Sequence, residues 1–147
     1  KLGGNIGASG ENPNSKNGGW TIGLADPDNS AEYIATLSVS DRSVVTSGDY
    51  ERFFEQNGVR YHHIFDPKTG YPAQNELRAV TVSDASSTRA DAMTTALFVM
   101  GLEEGLAFCE AQEIDAAFLT KGGFFHHPCG APSCRSCIPA LCAGALP

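Results

Sequence analysis

Apolar and polar positions alternate with a period of two through several short stretches of this chain, and one long stretch repeats with the period of a helix. The clearest alternation runs from Val59 to Phe65. Val59, Tyr61, His63 and Phe65 fall on one face, and Arg60, His62 and Ile64 fall on the other. The run stops at Asp66-Pro67-Lys68-Thr69-Gly70, where Pro67 fixes its own φ and Gly70 can take the positive φ of a tight turn. Upstream, Leu2 to Ile6, Trp20 to Leu24 and Tyr33 to Ser40 read as strands, with a polar loop from Gly7 to Gly19. Ser43 to Thr46 reads as the partner of Tyr33 to Ser40 in a hairpin turning at Asp41-Arg42, and Thr46 to Asp49 as a loop. Tyr50 to Gln56 reads as a short amphipathic helix ended by Asn57-Gly58. Downstream, Leu77 to Ser83 is a strand with Leu77, Ala79 and Thr81 on one face. A helix is predicted from Arg89 to Met100, with Thr88 as N-cap and Ala90, Met93, Leu97 and Met100 as its buried stripe. Gly101 interrupts it, Glu103 to Ala111 forms a second helix, and Ile114 to Thr120 a last strand. Without a regular βαβ alternation, the pattern implies an α+β fold with a largely antiparallel sheet.

The pattern ends near Gly122. Residues 123–147 hold four of the 5 cysteines, four of the 8 prolines and no acidic side chain, and show neither periodicity. They are expected to be an irregular tail outside the core formed by residues 1–122. A chain of 147 residues suffices for one domain with a real core. Its 41% hydrophobic and 18% charged residues argue for a folded globular chain rather than a disordered one. A net charge of -7 argues against nucleic acid as a partner, since a row of phosphates would meet no basic surface. No apolar run approaches the about 18 residues of a membrane-spanning helix.

Two clusters carry candidate chemistry. His63, at the end of a strand and just before a rigid polar turn, is well placed to meet a ligand; the bland alternative is a packed, hydrogen-bonded histidine. Asp91 and Thr95 are four apart on the predicted helix, hence on one face. A carboxylate and a hydroxyl so placed could hold a hard cation such as Mg²⁺, with water and phosphate oxygens completing its shell. Thr88-x-x-Asp91 also fits a capping box, which the residue types alone favour. In the tail, Cys129-x4-Cys134-x2-Cys137-x4-Cys142, with His126 and His127 nearby, is faintly like a zinc or iron–sulfur spacing, though no flanking fold would shape such a site.

Several segments, in this order, resemble the FAD:protein FMN transferases of the ApbE type. They are Gly3-Gly4-Asn5-Ile6, the Trp20 to Leu24 strand followed by Pro27, Ser43 through Arg52, His63 through Pro72, Ala90-Asp91-Ala92-Met93-Thr94-Thr95-Ala96 and Met100-Gly101. The resemblance covers residues 1–122 and implies a T-fold-like domain of which this chain is a C-terminal portion. It implies FAD as substrate, Mg²⁺ as cofactor and an acceptor flavoprotein whose threonine or serine receives FMN as AMP leaves. By position, Asp91 and Thr95 would be metal ligands and His63 the residue assisting proton transfer beside the flavin phosphate. Thr46, Ser47, Gly48, His63 and Asp66 would form or support the FAD pocket. Family members carry an N-terminal half with further FAD contacts, a lysine-bearing segment and a main-chain metal ligand, none of which this sequence contains. Kinship also implies a bacterial cell-envelope location, periplasmic and lipid-anchored, with any signal lying upstream of Lys1. The alternatives are a protein that binds FAD or hydrolyses its pyrophosphate without modifying another protein, and an inactive fragment.

Overall fold

The computed structural model describes residues 4–127 apart from Asn17 and Ser30. Strands β1 (Asn5–Ala8), β2 (Trp20–Ala25), β3 (Tyr33–Val39) and β4 (Arg42–Gly48) come first, followed by the short strands β5 (Phe53–Gln56) and β6 (Val59–His62). Then come the long strand β7 (Leu77–Asp84), helices α1 (Ser87–Met100) and α2 (Leu102–Gln112), and strands β8 (Asp115–Thr120) and β9 (Gly123–His127). Five strands form one sheet in the order β1-β4-β7-β8-β9, every neighbouring pair antiparallel. β2 with β3, and β5 with β6, make separate two-stranded ribbons.

Val44 and Val45 are adjacent in β4 and both buried, so this strand needs cover on both faces. Val45 joins Val80, Val82, Leu97, Phe98 and Phe118 under the helices. Val44 joins Ile22, Leu24, Leu37 and Val39, which the β2–β3 ribbon lays over the opposite face. Helices, sheet and ribbon thus form three layers, and the antiparallel central sheet with its two helices agrees with the α+β reading. Each fully buried Leu or Phe contributes about 1.5–3 kcal/mol through the apolar area it removes from water. The helix-side core, which includes Ala90, Leu97 and Phe98, holds α1 against β4, which matters for the site below.

The structure differs from the sequence reading at several places. Residues Tyr50 to Gln56 are not helical: Phe53–Gln56 is a strand paired with β6, in register from Phe53↔His62 to Gln56↔Val59. The two-residue turn is Asn57-Gly58, both with positive φ (53° and 76°), the combination a right-twisted hairpin favours. β3 and β4 do not form a hairpin, because Ser40 and Asp41 carry the chain from the ribbon layer to the central sheet. Thr46 to Gly48 is the end of β4 rather than a loop. Leu77 and Ala79 lie on different faces: the register shifts between them, so that Leu77 packs under the helices while Ala79 turns to the ribbon side. The first residues of the expected irregular tail, Gly123–His127, extend the sheet beside β8. The cysteine spacing from Cys129 to Cys142 lies outside the described residues.

Candidate active site

The end of β4 meets the start of α1. Val45 and Ser47 point to the helices and Thr46 points the other way, where its hydroxyl lies 2.8 Å from that of Thr81 on the paired strand. Ser86, not Thr88, caps α1: its side chain accepts from the Arg89 N–H at 3.3 Å. The first turn of α1 therefore holds no acidic residue, and Asp91 falls in the second. The capping-box reading of Thr88 and Asp91 does not hold. Asp91 is exposed, and its carboxylate makes no hydrogen bond or ion pair among the described residues. Its backbone carbonyl accepts from the Thr94 hydroxyl at 2.8 Å, and that hydroxyl accepts from Ser47 Oγ at 2.8 Å. Thr95 Oγ1 stands 3.5 Å from both Ser47 Oγ and the Asp91 carbonyl, long enough to leave its oxygen lightly held. Asp91 and Thr95 thus present two oxygens on one exposed helix face, anchored from beneath by Ser47 and Thr94.

The adjacent histidines separate as the alternation predicts, with the buried face belonging to His62. Its Nε2–H donates to the Ala73 carbonyl at 3.0 Å, its Nδ1 accepts from the Ile64 N–H at 3.3 Å, and its ring packs edge-on against Phe98. These partners together assign the neutral Nε2–H tautomer. His63 is exposed and, among the described residues, held only through its backbone, whose N–H donates to the Arg52 carbonyl at 3.2 Å. Of the pair, His63 is the one whose imidazole a ligand can reach.

Asp66 organises the turn that follows. Its carboxylate accepts from the Lys68 N–H at 2.8 Å, and its carbonyl accepts from the Gly70 N–H at 2.8 Å. Between this turn and α1 lies an open cleft of about 630 Å³, walled by Phe65, Asp66, Pro67 and Lys68 on one side and by Thr95, Ala96 and Val99 on the other. That volume is in the range of small-molecule sites. The structure therefore brings Asp66 to the cleft that Thr95 borders, with Ser47 behind Thr95. It does not bring Thr46 there, since Thr46 borders a smaller pocket of about 130 Å³ between the sheet and the β2–β3 ribbon. Gly48 is buried, and a Cβ at that position would run into the Tyr50 ring. His63 lies two residues before Phe65 but is not part of the cleft wall. Thr94, fully buried, is the site residue that sequence reasoning missed; its one signal was a hydroxyl three residues after Asp91.

An ion network ties the segment after β4 to the rest of the sheet. Asp49 accepts from Arg78 at 3.1 Å and from Arg60 at 3.3 Å, and Arg78 reaches on to Asp28 at 3.1 Å. The Arg78 hydrogen bond, with its charge, holds the Asp28 carboxyl below the ordinary aspartate value of 3.8. A depressed native value means stability that is present above pH 3.8 and lost as the pH falls through the native value. Asp28 is well exposed, so the effect is small. Urea unfolding midpoints followed downward from pH 5 are expected to fall more gently for Asp28→Asn than for the unaltered chain. Parallel curves would remove this pair from the acid response.

The ApbE family model matches residues 1–118. This chain belongs to the ApbE family. It is 49% identical over 122 residues to an FAD:protein FMN transferase of Klebsiella pneumoniae, a match covering 82% of this chain and 36% of that protein. A Treponema pallidum protein of the same name is 49% identical over 102 residues, covering 68% of this chain and 28% of that one. Among solved structures, the flavin transferase ApbE of Vibrio cholerae aligns with a TM-score of 0.68 at 37% identity, over 86% of this chain and 40% of that one. The ApbE protein of Thermotoga maritima aligns with a TM-score of 0.67 at 38% identity, over 74% of this chain and 36% of that one. The chain thus spans about a third of the length of its curated ApbE relatives.

Proposed function

We propose that the protein transfers FMN from FAD to a threonine or serine hydroxyl of an acceptor flavoprotein, with release of AMP and with Mg²⁺ at the site. The observation that carries this reading is the pair of exposed oxygens of Asp91 and Thr95 beside an open cleft that reaches Asp66, in a chain of the ApbE family. The donor set suits Mg²⁺. Both groups are hard oxygens, and among the described residues no cluster of three or more His, Cys, Asp or Glu side chains offers a closed metal cage. One carboxylate and one hydroxyl leave most coordination positions to water and phosphate oxygens, the arrangement Mg²⁺ favours. A cation bound there offsets the negative charge of the pyrophosphate.

In this reading the acceptor oxygen attacks the phosphorus on the FMN side, and the bond from that phosphorus to the bridging oxygen breaks. AMP carries the bridging oxygen away. The acceptor proton passes to the exposed His63 imidazole, which acts as the general base. Asp66 holds the turn that forms one cleft wall, and Ser47 supports the Asp91 peptide through Thr94. Gly48 lets Tyr50 lie against the strand end. Thr46 supports the pocket only indirectly, through its bond to Thr81 on the other face of the sheet.

The decisive assay incubates the chain with FAD and an acceptor protein, with and without Mg²⁺, following AMP by chromatography and acceptor-bound flavin by in-gel fluorescence. Mg²⁺-dependent AMP release matched by flavin on the acceptor is the expected result. AMP with free FMN would replace transfer by pyrophosphate hydrolysis. FAD left intact, under conditions where the Vibrio cholerae relative consumes it, would remove the activity from this chain.

A further inference from the structure

We infer that Thr94 is a positioning residue that sets the Asp91–Thr95 pair. The inference rests on the Mg²⁺ reading above. Thr94 is fully buried between α1 and β4, so its hydroxyl meets no solvent. A buried hydroxyl needs both its proton and its lone pairs matched, and each is matched by a short bond. It donates to the Asp91 carbonyl at 2.8 Å and accepts from Ser47 Oγ at 2.8 Å.

Threonines inside helices often bond back to a carbonyl of the preceding turn, and the bond to Asp91 alone would be no more than that. The Ser47 bond changes its meaning. Ser47 stands on the central sheet 47 positions away in sequence, so the relay fixes the Asp91 peptide to a rigid strand rather than to its own helix alone. Thr95 has no comparable hold, its bonds being 3.5 Å long. The buried threonine takes the structural bonds, and the exposed one next to it keeps its oxygen available. Orienting groups behind a metal ligand commonly matter about ten- to hundredfold in metal affinity.

The test uses Mn²⁺ as a paramagnetic stand-in for Mg²⁺, with free Mn²⁺ followed by electron paramagnetic resonance during titration of the chain. Thr94→Val keeps the shape and removes the hydroxyl; it is expected to weaken Mn²⁺ binding about ten- to hundredfold. Thr94→Ser restores the hydroxyl and is expected to restore affinity. Ser47→Ala removes the sheet side of the relay at a partly exposed position and is expected to weaken binding in the same direction, which covers the case that Thr94→Val does not fold. Unchanged affinity in folded Thr94→Val would overturn the positioning role, as would equal losses in the valine and serine variants, which would make packing the cause. If the unaltered chain and Asp91→Ala both fail to bind Mn²⁺, the metal reading itself falls, and the positioning role with it.

Discussion

Asp91→Ala is expected to lower Mg²⁺-dependent FAD cleavage by about a thousandfold, the rate equivalent of about 4 kcal/mol of lost charge stabilisation. Its folding should scarcely change. The side chain is exposed, caps nothing, and pairs with no described group, while the structural bond at this residue is made by its backbone carbonyl. Substitutions at such positions usually stay within about 0.5 kcal/mol in stability. The combination of lost turnover and retained melting temperature is what distinguishes a ligand from a scaffold residue. A variant that still cleaves FAD with the same Mg²⁺ requirement would sink the ligand assignment.

His63→Ala is expected to slow acceptor flavinylation by about a hundredfold or more, in keeping with the loss of a general base. FAD binding and unfolding midpoint should stay near those of the unaltered chain, because among the described residues only the His63 backbone is engaged in the fold. His62→Ala serves as the contrast. Removing that ring leaves the Ala73 carbonyl without its side-chain donor, deprives the Ile64 N–H of its acceptor and opens a gap beside Phe98, so its first effect falls on stability. The two variants therefore divide neighbouring histidines into one that acts and one that holds. Flavinylation at an undiminished rate by His63→Ala would refute the proton-transfer role.

The alternation from Val59 to Phe65 was enough to put His62 and His63 on opposite faces, since strand side chains have a period of two whatever surrounds them. It could not tell which face was buried. That depended on Phe98 arriving from α1 and Ala73 from the chain beyond the turn, neither of which is local in sequence. In the same way, the four-residue spacing of Asp91 and Thr95 sufficed to put both on one side of a helix, and the motifs around them to identify the ApbE family.

Local reading went astray where two local rules competed. Phe53 to Gln56 carried a weak helical pattern, but Asn57-Gly58 is also a strong hairpin signal, and pairing with β6 decided the outcome. Thr88 was a sound cap by residue type, and only the geometry of the α1 start put the cap at Ser86 and thereby released Asp91 from a capping role.

By itself, the sequence determined both helices, most of the longer strands and the family, because these follow from short-range periodicity and from motifs contiguous in the chain. Only the tertiary structure decided that Ser47 meets Thr94, that Asp66 and Thr95 border one cleft, and that Thr46 faces away from both. The physical reason is that these relations depend on how α1 settles across β4, and that position is set by a core of side chains drawn from strands and helices far apart in sequence.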